Sequence, residues 1–271
     1  MLEARNIKVT IGDTTIVDQV NMIANAGEVV AICGPNGAGK STLLRVLSGE
    51  LKPDQGEVSV QGRALSAWKA KELATTRALL HQQSVLNFPF TVREVVALGR
   101  FPYRHDEQHD EVVMTCLARV DMTAMAGRIY TTLSGGEQQR VQFARVLAQL
   151  ISEDDRGKVL LLDEPTSALD LPHQNATLAL ASAQAKDLNY AVAVVLHDLN
   201  LAASWADRIL FMNQGKIGAE GSPQAVMTPE VIASIYGLDT HILSHPDTGR
   251  PVVLVRRSTA TTSTCHEPHT N

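Results

Sequence analysis

The stretch Gly34, Pro35, Asn36, Gly37, Ala38, Gly39, Lys40, Ser41, Thr42 constrains the fold more than any other part of the chain. It satisfies G-x-x-x-x-G-K-[ST], with Gly34, Gly39, Lys40 and Ser41 at the fixed places. Residues 29–33 before it are an unbroken apolar run of strand length. Residues 41–48 after it read as a helix stopped by Gly49. A strand that feeds a glycine-rich turn and then a helix is a phosphate cradle. The glycines let backbone N–H groups curl round an anion without Cβ clashes, and the helix start adds about half a positive charge. In such a cradle Lys40 meets the β- and γ-phosphates and the Ser41 hydroxyl ligates Mg²⁺.

A second segment supplies the chemistry that a bound nucleotide needs. Residues 159–162 are Val-Leu-Leu-Leu, followed by Asp163, Glu164 and Pro165. This predicts a buried strand delivering two carboxylates at its C-terminal end, where ligands sit in open α/β sheets. Beside a phosphate loop, Asp163 is expected to hold Mg²⁺, directly or through water, and Glu164 to polarise an attacking water.

The rest of the pattern is that of an α/β chain. Strands are expected at 7–11 and 15–20 around a Gly12-Asp13 turn, then at 56–61, 77–80, 159–162 and 191–196. Helices are expected at 67–75, at Thr91 through a capping box with Glu94, at 110–120 and at 134–151, with a polar loop at 100–110. Short β-branched runs alternating with helices predict a parallel, buried sheet. Residues 84–152 read as a helical insertion within this core. Residues 258–271, rich in Ser and Thr and lacking an apolar period, read as disordered.

Composition narrows the partners. A chain of 271 residues, 44% hydrophobic, holds one large or two small domains. Its apolar runs, such as 191–196, fall far short of a membrane span, and its first residues lack a signal-peptide apolar region. The expectation is a chain that stays in the compartment where it is made. Cys33, Cys116 and Cys265 share no disulfide or metal spacing, which fits a reducing cytoplasm. A net charge of −5 argues against nucleic acid as a partner. Basic residues are scattered, so contact with a membrane is expected to run through another protein. His105 and His109, among Asp106, Glu107 and Asp110, read as solvated surface. Cys265, His266 and His269 suggest no more than adventitious metal binding.

Leu133, Ser134, Gly135, Gly136 and Glu137 decide the class. Ser134 and Glu137 form a capping box, but glycines in the next two places each cost about 1 kcal/mol of helix stability relative to Ala. They are explained if the backbone must closely approach a phosphate, with the helix start aimed at it. LSGGE, placed between a phosphate loop and an acidic strand, resembles the signature of the nucleotide-binding subunits of ATP-binding cassette (ABC) transporters. The resemblance spans about residues 1–255 and implies an α/β fold with a RecA-like P-loop NTPase core. It further implies an N-terminal antiparallel β subdomain, a catalytic core at 1–83 and 153–255, and an inserted α-helical signature subdomain at 84–152.

The same resemblance implies roles residue by residue. Gln82 matches the glutamine that senses Mg²⁺ and couples to the membrane subunit. Ser167, Ala168, Leu169 and Asp170 match the D-loop, and His197 the switch histidine that contacts the γ-phosphate. The implied catalytic set is Glu164, His197, Gln82 and Lys40. The implied metal set is Ser41, Gln82 and Asp163. Nucleotide contacts are implied for residues 34–42 and for Ser134, Gly135, Gly136, Glu137 and Asp170. ATP and Mg²⁺ are the implied cofactors, shared between two copies facing head to tail, each copy contributing half of each site. The chain departs from the family at Ile11, where an aromatic residue usually stacks on adenine. Ile offers dispersion without that stacking, which leaves room for GTP.

Phe88 to Tyr103, beginning FPFTV, resembles the corresponding part of importers of iron chelates, haem and cobalamin, and is most like that of haem importers. The polar link at 152–158 points the same way. The implied partners are two transmembrane permease subunits touched through residues near 84–103, and indirectly a periplasmic haem-binding protein. The implied location is the cytoplasmic face of a bacterial inner membrane. Siderophore, cobalamin, zinc or manganese cargo stays open as an alternative. So does a soluble ABC ATPase without transport, although such proteins usually carry two cassettes, coiled coils or basic arms. P-loop kinases and GTPases lack an LSGGE helix.

Overall fold

The computed structural model describes residues 1–82, 86, 88–103, 108–152 and 157–256. His105, Cys265, His266, His269 and the tail 258–271 lie outside the described residues. Strands β1 (Leu2–Ile11) and β2 (Thr14–Ala24) pair antiparallel across the Gly12-Asp13 turn, and both run longer than simple alternation predicts. The cause is irregular register between Ala4 and Val9, with Asn6 at φ 49° and Gln19 at φ 53°. An extra residue at each bulge breaks the period of two while keeping Leu2, Ala4, Ile7 and Val9 on the buried face.

Strand β3 (Val29–Cys33) leads into the phosphate loop and helix α1 (Lys40–Leu47). Next come β4 (Gln55–Val60), β5 (Arg63–Ala64), α2 (Ala70–Thr76) and β6 (Arg77–Leu80). The first sheet has the order β2-β1-β4-β5. Helices α3 (Val92–Ala97), α4 (His109–Arg119) and α5 (Gly135–Leu150) follow, then β7 (Val159–Asp163), α6 (Leu171–Leu188), β8 (Ala191–Val195) and α7 (Leu199–Trp205). The described chain ends with β9 (Arg208–Asn213), β10 (Lys216–Gly221), α8 (Pro223–Val226), α9 (Pro229–Tyr236), β11 (Thr240–Ser244) and β12 (Pro251–Val255).

The main sheet has the order β10-β9-β3-β8-β7-β6 and is parallel from β9 through β6. Every residue of β3, β7 and β8 is buried, so these strands read as continuous apolar runs. Their register brings the C-terminal ends into one row. Leu80 pairs with Leu162, Asp163 with Val195, Ile32 with Val195, and Cys33 with Phe211. Whatever follows each strand is therefore delivered to the same edge.

Helices α3, α4 and α5 pack on one another beside this sheet. The Thr91 capping box forms as expected, the Glu94 N–H reaching Thr91 Oγ1 at 3.3 Å and the Thr91 N–H reaching Glu94 Oε2 at 2.7 Å. Arg100, placed by its polarity at the start of a polar loop, is instead 2% exposed. Its guanidinium donates to the carbonyls of Ala148 at 2.8 Å and Ile151 at 2.5 Å, completing the C-terminal end of α5. Gly99 beside it is pressed on the same helix: a Cβ there would lie 2.2 Å from the Arg145 carbonyl oxygen. Gly99→Ala is expected to lower stability by about 1–3 kcal/mol through this overlap, read as a fall in melting temperature.

Candidate functional site

The phosphate loop is shaped by backbone that only glycine supplies. Gly34 has φ 148°, and a Cβ on it would stand 2.2 Å from the Met212 carbonyl oxygen; Gly39 has φ 97°, and its Cβ would stand 2.5 Å from that of Ile16. Lys40, 6% exposed, folds back over the loop and donates to the carbonyls of Gly34 at 2.8 Å and Pro35 at 2.9 Å. Burial pulls its ammonium pKa down, opposed by Glu164 and Asp163. The Ser41 hydroxyl donates to Asp163 Oδ1 at 3.1 Å. Burial raises the Asp163 pKa, and the bond from Ser41 opposes that rise. The Cys33 thiol is fully buried and pushed up to about 12, which makes it a core group and not a nucleophile.

Glu164 stands one residue beyond β7, in the left-handed region at φ 49°. For a non-glycine residue this costs on the order of 1–3 kcal/mol and persists only where neighbours enforce it. Its carbonyl accepts from Gln139 Nε2 at 3.0 Å and Ser167 Oγ at 3.1 Å. Its carboxylate is held at both oxygens: Gln82 Nε2 donates to Oε2 at 2.6 Å, and His197 Nε2 meets Oε1. Gln82 comes from the end of β6 and His197 from the end of β8, so the row of strand ends gathers them on one group.

The remaining predicted residues form a separate half. Ser134 caps α5 by accepting the Glu137 N–H at 3.4 Å, and Glu137 Oε2 takes the Ser134 N–H at 2.7 Å and the hydroxyl at 2.9 Å. These bonds hold the Glu137 carboxyl below its ordinary range. Asp170 caps α6 by accepting the His173 N–H at 3.2 Å; the contact of its carboxylate with the His173 ring first, and this cap second, lower its pKa too. Ser134, Gly136, Arg140, Leu169 and Asp170 line one open cleft. Among the described residues no hydrogen bond or ion pair joins residues 134–137 to residues 34–42. Gly136 has a reason beyond phosphate approach: a Cβ there would come within 3.0 Å of the Ala168 carbonyl oxygen.

Two features escape a reading of the sequence. Gln139 touches the turn after β7 through both ends of its amide, a contact that no local sequence signal marks. An apolar groove lined by Phe90, Ala97, Leu98 and Phe101 opens on the helical side, with Phe88 68% and Phe101 74% exposed. The sequence points to that segment but not to its shape. His109 begins α4 with Nε2 2.6 Å from the Tyr103 carbonyl oxygen, and no cluster of metal-ligating side chains occurs among the described residues. Ile11 is 58% exposed at the end of β1.

Comparison with known proteins gives a consistent result. The family model described as ABC transporter matches residues 17–167. The hemin import ATP-binding protein HmuV of Gloeobacter violaceus is 48% identical over 258 residues, covering 94% of each chain. Its namesake from Photobacterium damselae subsp. damselae is 44% identical, over 93% of this chain and 95% of that one. Among solved structures, an inward-facing ABC transporter of metal-chelate type superposes with TM-score 0.79 at 27% identity, over 95% of this chain and 98% of that chain. A dimeric ATP-binding cassette in a post-hydrolysis state, bound to ADP and Pi, superposes with TM-score 0.72 at 30% identity, over 82% and 98%.

The Ser134 cap yields a pH-dependent expectation. Ser134→Ala is expected to lower stability by about 1 kcal/mol near neutral pH. Glu137 titrates below the ordinary glutamate value of 4.5, so its share is fully present above that value and lost as pH falls through the lowered one. The melting difference between the two chains is therefore expected to narrow in acid, measured by thermal unfolding across pH.

Proposed function

This chain belongs to the ABC transporter family and is an ABC-type ATPase, and on that premise we propose that it drives haem (haemin) import through a separate membrane permease. The observation that carries the cargo is the 43–48% identity to four hemin import ATP-binding proteins, over 93–95% of this chain. No helix among the described residues is long and apolar enough to cross a membrane, and in this reading another polypeptide forms the pore. The exposed groove at Phe90, Leu98 and Phe101 is the surface for two permease subunits, close in sequence to Gln82. Docked there, the chain sits peripherally on the cytoplasmic face of an inner membrane. A periplasmic haem-binding protein acts from the other side without touching it.

Catalysis needs two copies. Lys40 and the loop at 34–42 hold the triphosphate of one nucleotide. The Ser134 helix start of the second copy closes on it, with Gly135, Gly136, Glu137 and Asp170 around that contact. The separation of these residues from the phosphate loop within one chain supports the pairing, as does the dimeric relative. Ser41 Oγ, the Asp163 carboxylate and the Gln82 amide oxygen are hard oxygen donors near the loop, the set that suits Mg²⁺. When bound, Mg²⁺ neutralises triphosphate charge. Lys40 exchanges loop carbonyls for phosphate oxygens. Glu164 orients the attacking water and takes its proton, while His197 moves from the carboxylate toward the γ-phosphate.

Glu164→Gln is expected to bind ATP with affinity near wild type, to lose about 10²-fold or more in turnover, and to accumulate as an ATP-bound dimer. Equilibrium binding, phosphate release and light scattering measure the three, and normal turnover would remove Glu164 from its role. The cargo is tested by ATPase activity of the complex reconstituted with its permease. Haemin is expected to stimulate turnover where ferric siderophore and cobalamin do not; stimulation by either of those instead would reassign the cargo.

A further inference from the structure

Gln139 lies one turn beyond the Ser134 cap, and its amide is engaged at both ends. Nε2 donates to the Glu164 carbonyl at 3.0 Å, while Oε1 accepts the Ala168 N–H at 3.1 Å. An amide used this way is a two-point strut, since a flip would break both bonds at once. The carbonyl it holds belongs to the residue at φ 49°, whose peptide orientation sets where the Glu164 carboxylate points. The contact is tight beside it, where Gly136 leaves 3.0 Å between a Cβ position and the Ala168 carbonyl oxygen.

Other bonds to this turn carry nothing from the signature helix. Ser167 Oγ bonds the Glu164 carbonyl from within the turn, and Gln174 Nε2 ties the carbonyls of Thr166 at 3.3 Å and Leu169 at 3.0 Å to α6. Among the described residues, Gln139 is the side chain of α5 that hydrogen-bonds residues 164–168.

We propose that Gln139 is a positioning residue that couples the two nucleotide sites of the pair. It passes the seating of Ser134 on the other copy's nucleotide to the Glu164 carboxylate that acts on this copy's own. The coupling rests on the head-to-tail reading given above, because only there do Ser134 and Glu164 of one chain serve different nucleotides. A helix start displaced from its phosphate pulls the Glu164 peptide with it, so hydrolysis at one site senses occupancy at the other.

Two variants test the strut in the full chain. Gln139→Leu removes both polar ends and leaves a shorter apolar side chain, and Gln139→Glu keeps the acceptor for the Ala168 N–H while losing the donor to Glu164. For Q139L, kcat is expected to fall about tenfold or more. Its ATP Kd is expected to stay within about twofold of wild type, and its Hill coefficient for ATP to drop from near two toward about one. Q139E is expected to match it, since the bond to Glu164 is lost in both. Wild-type kcat and cooperativity in Q139L overturn the proposal, and so does a fall of affinity and melting temperature in step with kcat. If Q139L does not fold, Q139E decides on the same readouts. Sedimentation of Glu164→Gln with ATP separates the two levels: no dimer defeats the head-to-tail reading, whereas a dimer with unaltered Q139L kinetics defeats the strut alone.

Discussion

Parallel pairing of β3, β8, β7 and β6 is the constraint on which the site depends. Neighbouring strands in such a sheet lie about 4.8 Å apart, and their ends here are level. The residues leaving those ends, Gly34, His197, Glu164 and Gln82, must therefore arrive within side-chain reach of one another. The strands themselves carry no chemistry until Asp163. Buried on both faces, they offer the apolar contact that lets a carboxylate, an imidazole and an amide stand at a fixed edge.

The polar groups at that edge are satisfied without a ligand. Lys40 rests on two loop carbonyls, Ser41 on Asp163, and Glu164 on Gln82 and His197. A buried donor left unpaired costs about 1–3 kcal/mol, so a loop with these groups left unpaired would be unstable. In the proposed site, nucleotide binding is an exchange of partners. The strength of that exchange rests on the Lys40 ammonium trading neutral carbonyl acceptors for ionised phosphate oxygens.

Much of this was legible in the sequence because the signals are local. The phosphate loop, the acidic strand and both capping boxes are written within a few residues each, and all adopt the expected geometry. Gln82 and His197 carry no such signal; only resemblance singled them out, because their convergence on Glu164 depends on strand order. Other features were hidden for the same reason. The bulges that lengthen β1 and β2 break alternation, Arg100 looks like loop polarity until it meets the end of α5, and Gln139 acts on a turn 25 positions away. At Gly136 the sequence pattern points to phosphate approach, whereas the structure shows a different demand, the close pass of the Ala168 carbonyl.

The carbonyl of Met212 that sits behind Gly34 comes from β9, and β3 is flanked by β8 on one side and β9 on the other. On a ribosome the glycine loop is thus synthesised long before the backbone that braces it. Such distant pairings close slowly. An emerging chain therefore lacks the carbonyl that braces Gly34 until β9 has been made and paired beside β3.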